Sequence, residues 1–423
     1  MRPAVQPYPM LGVEEALDRV LAAFEPLPPE RVPVLEALGR VLTGDVFADM
    51  DIPPLTNTAM DGYAVRCDDT GGARPDTPRR LRVVADLAAG YVLDEPIQPG
   101  TAVRIMTGAP VPPGTEAVIP FEEVERDGDQ ILVFKRYPHN KNIRAAGEDV
   151  EEGALILPQG TEIRPQEVGM LAALGHKETW VHRRPRVAIL STGDEVIEID
   201  APWRPGKIRN ANSYSNAAQV MCCGGVPLLL GIARDDVDEL TDRIRTGLGQ
   251  GADFFLTSGG VSMGDFDVVK EVLAAEGEMN FWRVRMKPGK PLAFGHIGPS
   301  ASSERRVPLL GLPGNPVSAM VSFEIFARPA ILRMLGKTKL KKPVVEATLL
   351  DEIKRKDDRR HFLRVMVEER DGGYVARLTG DQGSGILLSM VRAQGLAIIP
   401  EDVDRLPAGA RVQVIMLDWP ECE

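Results

Sequence analysis

The stretch PRVAILSTGDEV, residues Pro185–Val196, joins a short apolar run to a polar turn, and this combination decides the fold of its region. The apolar half predicts a buried strand, because parallel strands covered on both faces are continuously apolar. The runs VPLLLGIARDD, DFFLTSGG and VPLLGLPGNP have the same form. Helical patterns separate the strands, at Ser215–Cys223, Val237–Leu248, Phe266–Ala275 and Val317–Leu335. This alternation predicts a mostly parallel sheet with helices on both faces.

The regions around this α/β segment have a different character. Amphipathic periodicity predicts helices over Val13–Phe24, over VPVLEALGRVL (Val32–Leu42) and over Arg164–Gly175. Between Ile52 and Asn142, short β-branched runs separated by Gly/Pro turns predict a small all-β domain inserted into a helical body. Short strands return from Val344 onwards and predict a separate C-terminal β domain.

Size and composition limit the class of protein. A chain of 423 residues is too long for one core, and about three domains are expected. The apolar share of 43% and the charged share of 26% are ordinary for a globular protein. A formal net charge of −11 argues against nonspecific nucleic-acid binding, so an anionic substrate would need a locally basic pocket.

Targeting and cysteine patterns predict a cytoplasmic protein without a membrane span. The opening MRPAVQPYPMLGVEEALDRVL has charges and prolines where a signal peptide has an apolar core, and no run approaches the ~20 apolar residues of a membrane helix. The cysteines form no CxxC or Cys/His motif, and the histidines have no ligand spacing, so the sequence indicates no zinc site. The cysteines are Cys67, Cys222, Cys223 and Cys422.

Several loops at the predicted carboxyl ends of strands contain acids, where sheets of this type bind ligands. STGDEV contains Asp194 and Glu195, although Thr192 or Asp194 could instead cap the next turn. Asp235 and Asp236 follow another strand and are more typical of a helix cap. Asn315 and Pro316 also match a helix start. TSGGVSMGDFD is more specific, since glycines, hydroxyls and acids stand together: Ser258, Gly259, Gly260, Ser262, Asp265 and Asp267.

A cationic cluster, FWRVRMKPGKPLAF, stands out in this acidic chain. In an extended segment Arg283, Arg285 and Lys287 would point to one side, and Lys290 follows after a Pro-Gly turn. A solvated strand edge is the alternative, but the stiffened loop favours an anion site. Acids for a divalent metal and lysines for an oxyanion together fit metal-assisted cleavage of a phosphoanhydride. The residues alone name neither the organic ligand nor the oxyanion.

Seven motifs occur in the order found in the molybdopterin molybdotransferases, the MoeA family, which is similar to the E domain of gephyrin. They are TAMDGYAVR, RIMTGAPVP, IRAAGEDV, ILSTGDEV, TSGGVSMGDFD, MKPGKPLAFG and GLPGNPVSAM. The resemblance spans nearly the whole chain. It implies a split helical domain (1–49 and 146–181), an inserted β domain (50–145), a three-layer α/β molybdopterin-binding domain (182–337) and a C-terminal β-barrel domain (338–423).

The resemblance also implies a reaction and its residues. Adenylylated molybdopterin is bound, its phosphoanhydride is cleaved with Mg²⁺ or a similar cation, AMP leaves, and molybdate is inserted at the dithiolene. The implied catalytic residues are Asp267, Glu195, Asp235, Asp61 and Asp149, and the implied metal ligands are Glu195, Asp235, Asp265 and Asp267. The implied substrate-binding residues are Thr107, Gly108, Arg144, Thr192, Gly193, Asp194, Ser258, Gly259, Gly260, Ser262, Pro313 and Asn315. The implied molybdate ligands are Lys287, Lys290, Arg283, Arg364 and Ser384, with Arg359 or Arg360 as alternatives to Arg364.

Partners follow from the same resemblance. Family members form homodimers whose cleft combines the α/β domain of one subunit with the β-domain loops of the other. Contacts with the adenylyltransferase and with molybdoenzyme maturation proteins are expected, and no nucleic acid or membrane is. Three alternatives stay open: the molybdopterin adenylyltransferase, which normally has only the α/β domain; a tungstate-inserting variant; and a gephyrin-like scaffold, which would not need the acids and lysines.

Overall fold

A computed structural model describes residues 9–234, 236–259, 277–298, 306–355 and 357–419. The chain divides into two compact units, one formed by Met1–Thr43 with Thr179–Glu423 and the other by Gly44–Glu178. The predicted helix Phe266–Ala275 lies outside the described residues. No helix among the described residues is long and apolar enough to cross a membrane.

A seven-stranded sheet forms the centre of the larger unit. Its strands are, in spatial order, Met10–Leu11, Gly277–Val284, Pro291–Ile297, Val307–Leu312, Phe254–Ser258, Arg186–Thr192 and Val226–Ala233. The last four are mutually parallel, which confirms the predicted α/β sheet. Pro291–Ile297 is antiparallel to both of its neighbours, because a short hairpin connects it to Gly277–Val284 and no crossover helix intervenes.

Alternate residues of the central strands pack into two different cores. Val187 and Ile189 belong to one hydrophobic cluster, while Ala188 and Leu190 belong to another. Both faces of the strand are therefore buried, as its continuous apolar sequence predicts. The helices that cover the sheet are Ala211–Cys222, Val237–Gly249, Pro316–Ser322 and Arg328–Met334, the last two joined by the π-helical turn Phe323–Ala327. The helix Val13–Leu21 packs against the first cluster through Ala16 and Val20.

The prediction of a second helix in the amino-terminal region, over Val32–Leu42, is wrong. Val32–Leu42 contains only the 3₁₀ turn Val34–Ala37, preceded by the strand Pro29–Pro33, which pairs with Glu178–His182. Pro33 ends the strand and Gly39, at φ +74°, stops any helix from continuing. Short pairs complete the unit: Val196–Ile197 with Ile208–Arg209, and Ile353–Lys354 with Arg405–Leu406.

The smaller unit contains the predicted all-β region. Its six-stranded sheet has the order Ala117–Pro120, Gly62–Val65, Thr101–Ile105, Arg79–Leu87, Gln130–Val133 and Val124–Asp127. Two short ladders, Asn57–Thr58 with Ile143–Arg144 and Val46–Phe47 with Leu155–Leu157, lie outside this sheet. The helix Pro165–Ala173 forms as predicted, and the remaining turns are the 3₁₀ segments Cys67–Thr70 and Phe121–Glu123.

The C-terminal strands close into a five-stranded barrel, as predicted. The order is Arg360–Arg370, Gly373–Leu378, Val344–Leu349, Arg411–Met416 and Gly395–Ile399, and the last strand pairs back with Arg360–Arg370. Met286–Lys287 adds to the barrel strand Arg360–Arg370, and the short helix Leu387–Val391 precedes the final hairpin. The four domain boundaries inferred from the sequence stay a prediction, because the division into two units does not resolve them.

Candidate active site

A cavity of about 310 Å³ opens at the carboxyl ends of the parallel strands. Thr192 and Ser258 end two of these strands, and Gly314 follows the third. In α/β sheets this edge is where ligands bind, since helix amino termini and loops converge there. The remaining lining is Ser191, Glu195, Val196, Ile208, Arg209, Asn210, Ala211, Asn212, Gly259, Pro316 and Gly385.

The floor of this sheet-end cavity is a buried hydroxyl network. Ser191 Oγ lies 2.8 Å from Asn210 Oδ1, 2.8 Å from Ser213 Oγ and 2.9 Å from Ser258 Oγ. Asn210 also caps the helix Ala211–Cys222, since its side chain accepts the Ser213 N–H. Among the residues that the structure describes, Thr192 Oγ1 is buried without a hydrogen-bond partner. The hydroxyl therefore caps no described turn, contrary to the alternative interpretation of Thr192, and it is available to a ligand.

Glycines bring backbone close to the cavity. A Cβ on Gly259, whose φ is +94°, would lie 2.9 Å from the carbonyl oxygen of Thr192. A Cβ on Gly314 would lie 3.7 Å from the Cα of Gly259. Asn212 Nδ2 donates to the carbonyl oxygen of Gly314 at 2.8 Å. The two glycine turns are thus held side by side, and a ligand can approach backbone atoms there.

Of the four predicted metal ligands, only Glu195 belongs to the described residues. It lines the sheet-end cavity, and its carboxylate lies over Gly193, where an added Cβ would come within 2.5 Å of Oε2. Asp194 is exposed, and its backbone oxygen accepts a hydrogen bond from Lys207. Asp236 is a helix cap, as its position suggested, accepting the Glu239 N–H at 2.9 Å. Outside the described residues lie Asp235, Gly260, Ser262, Asp265 and Asp267.

A second cavity, of about 460 Å³, lies on the C-terminal barrel and contains two predicted oxyanion ligands. Lys287 is exposed at its edge, whereas the Arg364 side chain is fully buried. Arg364 donates to Ser389 Oγ at 3.1 Å and to the carbonyl oxygen of Gly383 at 3.1 Å. Burial lowers the pKa of Arg364 to about 10. Within the described parts of the chain, no carboxylate forms an ion pair with it, so this buried cation is suited to an anionic ligand.

Asp357 connects the basic groups beside this barrel cavity. Its carboxylate accepts hydrogen bonds from Arg359 at 2.8 Å and from His361 Nε2 at 2.8 Å, and it lies 3.6 Å from Lys287 Nζ. Burial alone would raise the pKa of Asp357, but the hydrogen bonds from Arg359 and His361 hold it well below its usual range. Burial lowers the pKa of His361. One weak signal in the sequence could have indicated the pair of Asp357 and His361. The two residues are four positions apart, on either side of Arg359 and Arg360.

The two cavities meet at one segment, Gly383–Gly385. Gly383 lines the barrel cavity and Gly385 lines the sheet-end cavity. Between them, Ser384 Oγ accepts a hydrogen bond from Asn315 Nδ2 at 3.0 Å, and its backbone oxygen accepts the Val317 N–H at 3.1 Å. The segment therefore contributes lining residues to both cavities.

Other predicted oxyanion residues lie elsewhere. The chain changes sheet at Arg285: Arg283 pairs with Met10 and Pro291 in the seven-stranded sheet, whereas Lys287 pairs with His361 in the barrel. Arg283, Arg285 and Lys287 therefore do not form the single extended segment on which the prediction that they point to one side depends, because a period of two applies within a single strand. Lys290 is exposed, and neither it nor Arg283 lines the two cavities.

The arginine alternatives have different surroundings. Arg360 binds Glu14 and Glu401. Arg359 binds Asp357, and only Arg364 lines the barrel cavity. Pro313 is buried before Gly314, in the turn that follows the strand Val307–Leu312.

In the smaller unit, four predicted residues gather around the strand Asn57–Thr58. Asp61 Oδ1 accepts hydrogen bonds from both the backbone N–H and the hydroxyl of Thr107, each at 2.7 Å, and these bonds lower the pKa of Asp61. Gly108 N–H donates to the Thr58 oxygen at 2.9 Å, and Arg144 pairs with Asn57. Asp149 is exposed and is held by its backbone N–H, which donates to the oxygen of Ile52.

Comparison with known proteins assigns the chain to a family. The MoeA N-terminal region (domains I and II) matches residues 11–175, the probable molybdopterin binding domain matches 188–333, and the MoeA C-terminal region (domain IV) matches 346–417. Molybdopterin molybdenumtransferase 2 of Mycobacterium tuberculosis is 37% identical over 96% of this chain and 99% of its own. The chain belongs to the MoeA family.

Other MoeA relatives agree along the whole length. The molybdopterin molybdenumtransferase of Bacillus subtilis is 32% identical over 97% of this chain and 96% of its own. The crystal structure of the molybdopterin biosynthesis MoeA protein of Pyrococcus horikoshii superposes with a TM-score of 0.81 and 32% identity, covering 97% of this chain and all of that one. The multidomain MoeA fold, with α/β and β domains and a C-terminal barrel, is thereby confirmed.

Proposed function

We propose that this MoeA-family chain is a molybdopterin molybdotransferase, which inserts molybdate into adenylylated molybdopterin and releases AMP. The observation that supports this best is the pair of cavities joined at Gly383–Gly385, one lined by glycine turns and hydroxyls and the other by buried positive charge. Two chemically different substrates could then be held on either side of one short segment. The names of the relatives, molybdopterin molybdenumtransferases, agree with this activity.

The sheet-end cavity would hold the pterin nucleotide. Gly259 and Gly314 leave room for phosphate oxygens to approach backbone atoms, and Thr192 and Ser258 offer hydroxyls. The neutral network under Ser191 would fix these groups without adding negative charge beside a phosphoanhydride. Glu195, at the edge of the cavity, would repel a bare phosphate, so a cation between them is expected.

Magnesium or a similar cation would be held by Glu195 together with Asp235, Asp265 and Asp267. Carboxylate and hydroxyl oxygens are the ligands that this hard cation prefers, and the orphaned hydroxyl of Thr192 fits such a set. When bound, the cation would neutralise charge on the phosphoanhydride and on the departing AMP. The protein's own part would be to orient the pyrophosphate along the glycine turns and to keep the oxyanion beside the pterin.

The barrel cavity would hold molybdate. Arg364 brings a buried cation that forms no ion pair with a described carboxylate, although Asp381 lies near it in the cavity lining, and Lys287 adds a second charge at the entrance. Asp357 lies 3.6 Å from Lys287 Nζ and would compete with the oxyanion for that ammonium. The site would therefore discriminate by charge, and tungstate, with the same charge and nearly the same size, is expected to bind as well.

Two substrate mixtures separate this proposal from the adenylyltransferase. The chain should release AMP from adenylylated molybdopterin when molybdate is present, and it should not consume ATP in the presence of molybdopterin. If the chain instead consumes ATP with molybdopterin and releases no AMP from adenylylated molybdopterin, it is the adenylyltransferase, which catalyses the preceding step. A gephyrin-like scaffold would do neither.

We further propose a cytoplasmic homodimer that shares its cleft between subunits and receives its substrate from the adenylyltransferase. Free thiols at Cys67 and Cys222 suit a reducing compartment. The exposed carboxylate of Asp61 is held by Thr107 without a described basic partner, as a group that acts on a neighbouring subunit's substrate would be. Mixing inactive Asp61→Ala and Glu195→Ala subunits should restore part of the activity. If labelled subunits exchange and the mixture stays inactive, the shared cleft is excluded.

A further inference from the structure

Three metal-ligating side chains converge in the β domain of the smaller unit, at a place that the proposed reaction does not use. The Sγ of Cys67, a carboxylate oxygen of Glu116 and a ring nitrogen of His139 all lie within 4.8 Å of one another. The three residues are far apart in the sequence, which explains why no ligand spacing announced them. The paired strands Gly62–Val65 and Ala117–Pro120 bring Cys67 beside Glu116, and a bridge between Ala117 and Lys141 brings the loop that carries His139 beside both.

Backbone hydrogen bonds hold this cluster in place. The Glu116 N–H donates to the Val65 oxygen at 2.9 Å, and the Asn140 N–H donates to the Glu116 oxygen at 2.7 Å. Glu116 Oε2 accepts the Cys67 N–H at 2.7 Å, which orients the carboxylate. The backbone at Cys67, at Glu116 and beside His139 is thus held by bonds that require neither the thiol nor the imidazole, and the Glu116 carboxylate is oriented, so little further backbone ordering is needed to bind an ion.

We propose that Cys67, Glu116 and His139 form a binding site for a thiophilic divalent cation of the zinc class. Thiolate, carboxylate and imidazole are the three ligand types that zinc takes in proteins, and three protein ligands leave a fourth position for water. One thiolate and one carboxylate neutralise the charge of a divalent ion. Magnesium and calcium are not expected, because both prefer oxygen ligands.

Burial gives the site a direction of access. Cys67 is buried, Glu116 is half-buried and His139 is exposed, so an ion would enter past the imidazole and bind the thiol last. A Cys-His nucleophile is the competing interpretation of these residues. Cys67 is only 2% exposed, whereas a reactive thiol is partly accessible to its substrate, so burial argues against a nucleophile here.

The bound ion would fasten a loop to the sheet. Asn140 and Asn142 both adopt positive φ, and Asn142 Nδ2 donates to the Val118 oxygen at 2.9 Å, so this loop runs along the strand Ala117–Pro120. The ion would link the loop through His139 to Cys67, at the end of the neighbouring strand. Metal binding should therefore raise the thermal stability of the full chain.

Cobalt titration of the full-length, chelator-treated protein tests the site. We expect one equivalent of Co²⁺ to give a thiolate-to-cobalt charge-transfer band that Zn²⁺ displaces and excess Mg²⁺ does not. Cys67→Ser should abolish the band, and His139→Gln, at an exposed position, should weaken cobalt binding by roughly tenfold or more. Glu116→Gln keeps an acceptor for the Cys67 N–H and should also weaken binding.

Cys222→Ser serves as a matched control, since this exposed thiol lies outside the cluster. It should leave the band and the zinc-induced rise in Tm unchanged. A band that survives in folded Cys67→Ser, or one that His139→Gln leaves at full affinity, would overturn the proposal. So would the lack of a saturable band in the wild type.

Discussion

Asn315 and Ser384 join the α/β domain to the C-terminal barrel through a 3.0 Å hydrogen bond from Nδ2 to Oγ. Asn315 lies at the start of the helix Pro316–Ser322, and Ser384 lies between the glycines that line the two cavities. The pair connects the segment that borders both proposed sites to the start of a helix at the carboxyl edge of the sheet. Its disruption should therefore affect the use of molybdate more than the binding of the nucleotide.

Ser384→Ala tests this connection. The variant loses the acceptor for Asn315 Nδ2 and retains the backbone bond from Val317, so the half-saturating molybdate concentration should rise about fivefold, as expected for losing about 1 kcal/mol. Affinity for adenylylated molybdopterin should change less than twofold. Ser389→Ala, at the other serine that contacts the Arg364 region, gives a comparison within the barrel. Equal losses for both substrates would argue that Ser384 has only a structural role.

Lys287→Gln tests the charge at the entrance of the barrel cavity. Removing a charge-assisted contact of roughly 1.4 kcal/mol should raise the half-saturating molybdate concentration about tenfold. Lys290→Gln should have a smaller effect, because Lys290 does not line the cavity. Arg285→Gln is the matched control, as it removes an exposed charge two residues away that lines neither cavity. If Lys287→Gln leaves the molybdate titration unchanged, Lys287 is a solvated residue at a strand edge and does not contribute to an anion site.

Gly289→Ala tests how the turn that carries these lysines is positioned. Gly289 has a φ of +105°, and an added Cβ would lie 2.6 Å from Ser322 Oγ. The substitution should lower the free energy of unfolding by about 1–3 kcal/mol and should weaken molybdate dependence. In the Gly289→Ala/Ser322→Ala double variant the contact with Ser322 is relieved, but the φ strain remains. The double variant should therefore regain only part of the free energy of unfolding that Gly289→Ala loses. Wild-type stability of the single variant would show that the turn is not constrained at this position.

The central sheet could be predicted because its information is local. Three of its parallel strands, Arg186–Thr192, Phe254–Ser258 and Val307–Leu312, are continuous apolar runs followed within two residues by a glycine, and burial on both faces follows from that pattern alone. Closure of the barrel depends on the pairing of Arg360–Arg370 with Gly395–Ile399, which no local pattern encodes. The helix predicted over Val32–Leu42 was wrong because an apolar period was counted across Pro33 and Gly39, whose backbone preferences override it.

The parts of the candidate site that depend on local sequence could be predicted, and the parts that depend on long-range contacts could not. Glycine turns and hydroxyls at strand ends, such as Gly259 and Ser258, follow from local sequence. The sharing of Gly383–Gly385 between two cavities does not, and neither does the change of sheet at Arg285 that separates Arg283 from Lys287. Asp357 and His361 gain their importance from contacts with Lys287, which is distant in the sequence.

Asp357 also predicts an acid-sensitive contribution to stability. The folded-state pKa of Asp357 lies below the usual 3.8. Its stabilisation of the folded state is therefore complete above pH 3.8 and is lost progressively as the pH falls from 3.8 towards the folded-state pKa. Because the side chain is 26% exposed, the contribution is about 1–2 kcal/mol after solvent screening. Urea unfolding should be measured from pH 7 to pH 3. The difference in the free energy of unfolding between the wild type and Asp357→Asn should begin to shrink below about pH 4. A constant difference across this range would contradict the assignment.

The most direct measurement of the proposed function follows AMP and molybdenum in one reaction. The purified chain is incubated with adenylylated molybdopterin, Mg²⁺ and molybdate, AMP is quantified, and the product is tested for its ability to reconstitute a cofactor-free molybdoenzyme. We predict one AMP released for each molybdenum inserted, no AMP release without molybdate, and a parallel loss of both in Glu195→Gln. Full AMP release without molybdate, or AMP release that never yields active cofactor, would contradict the account.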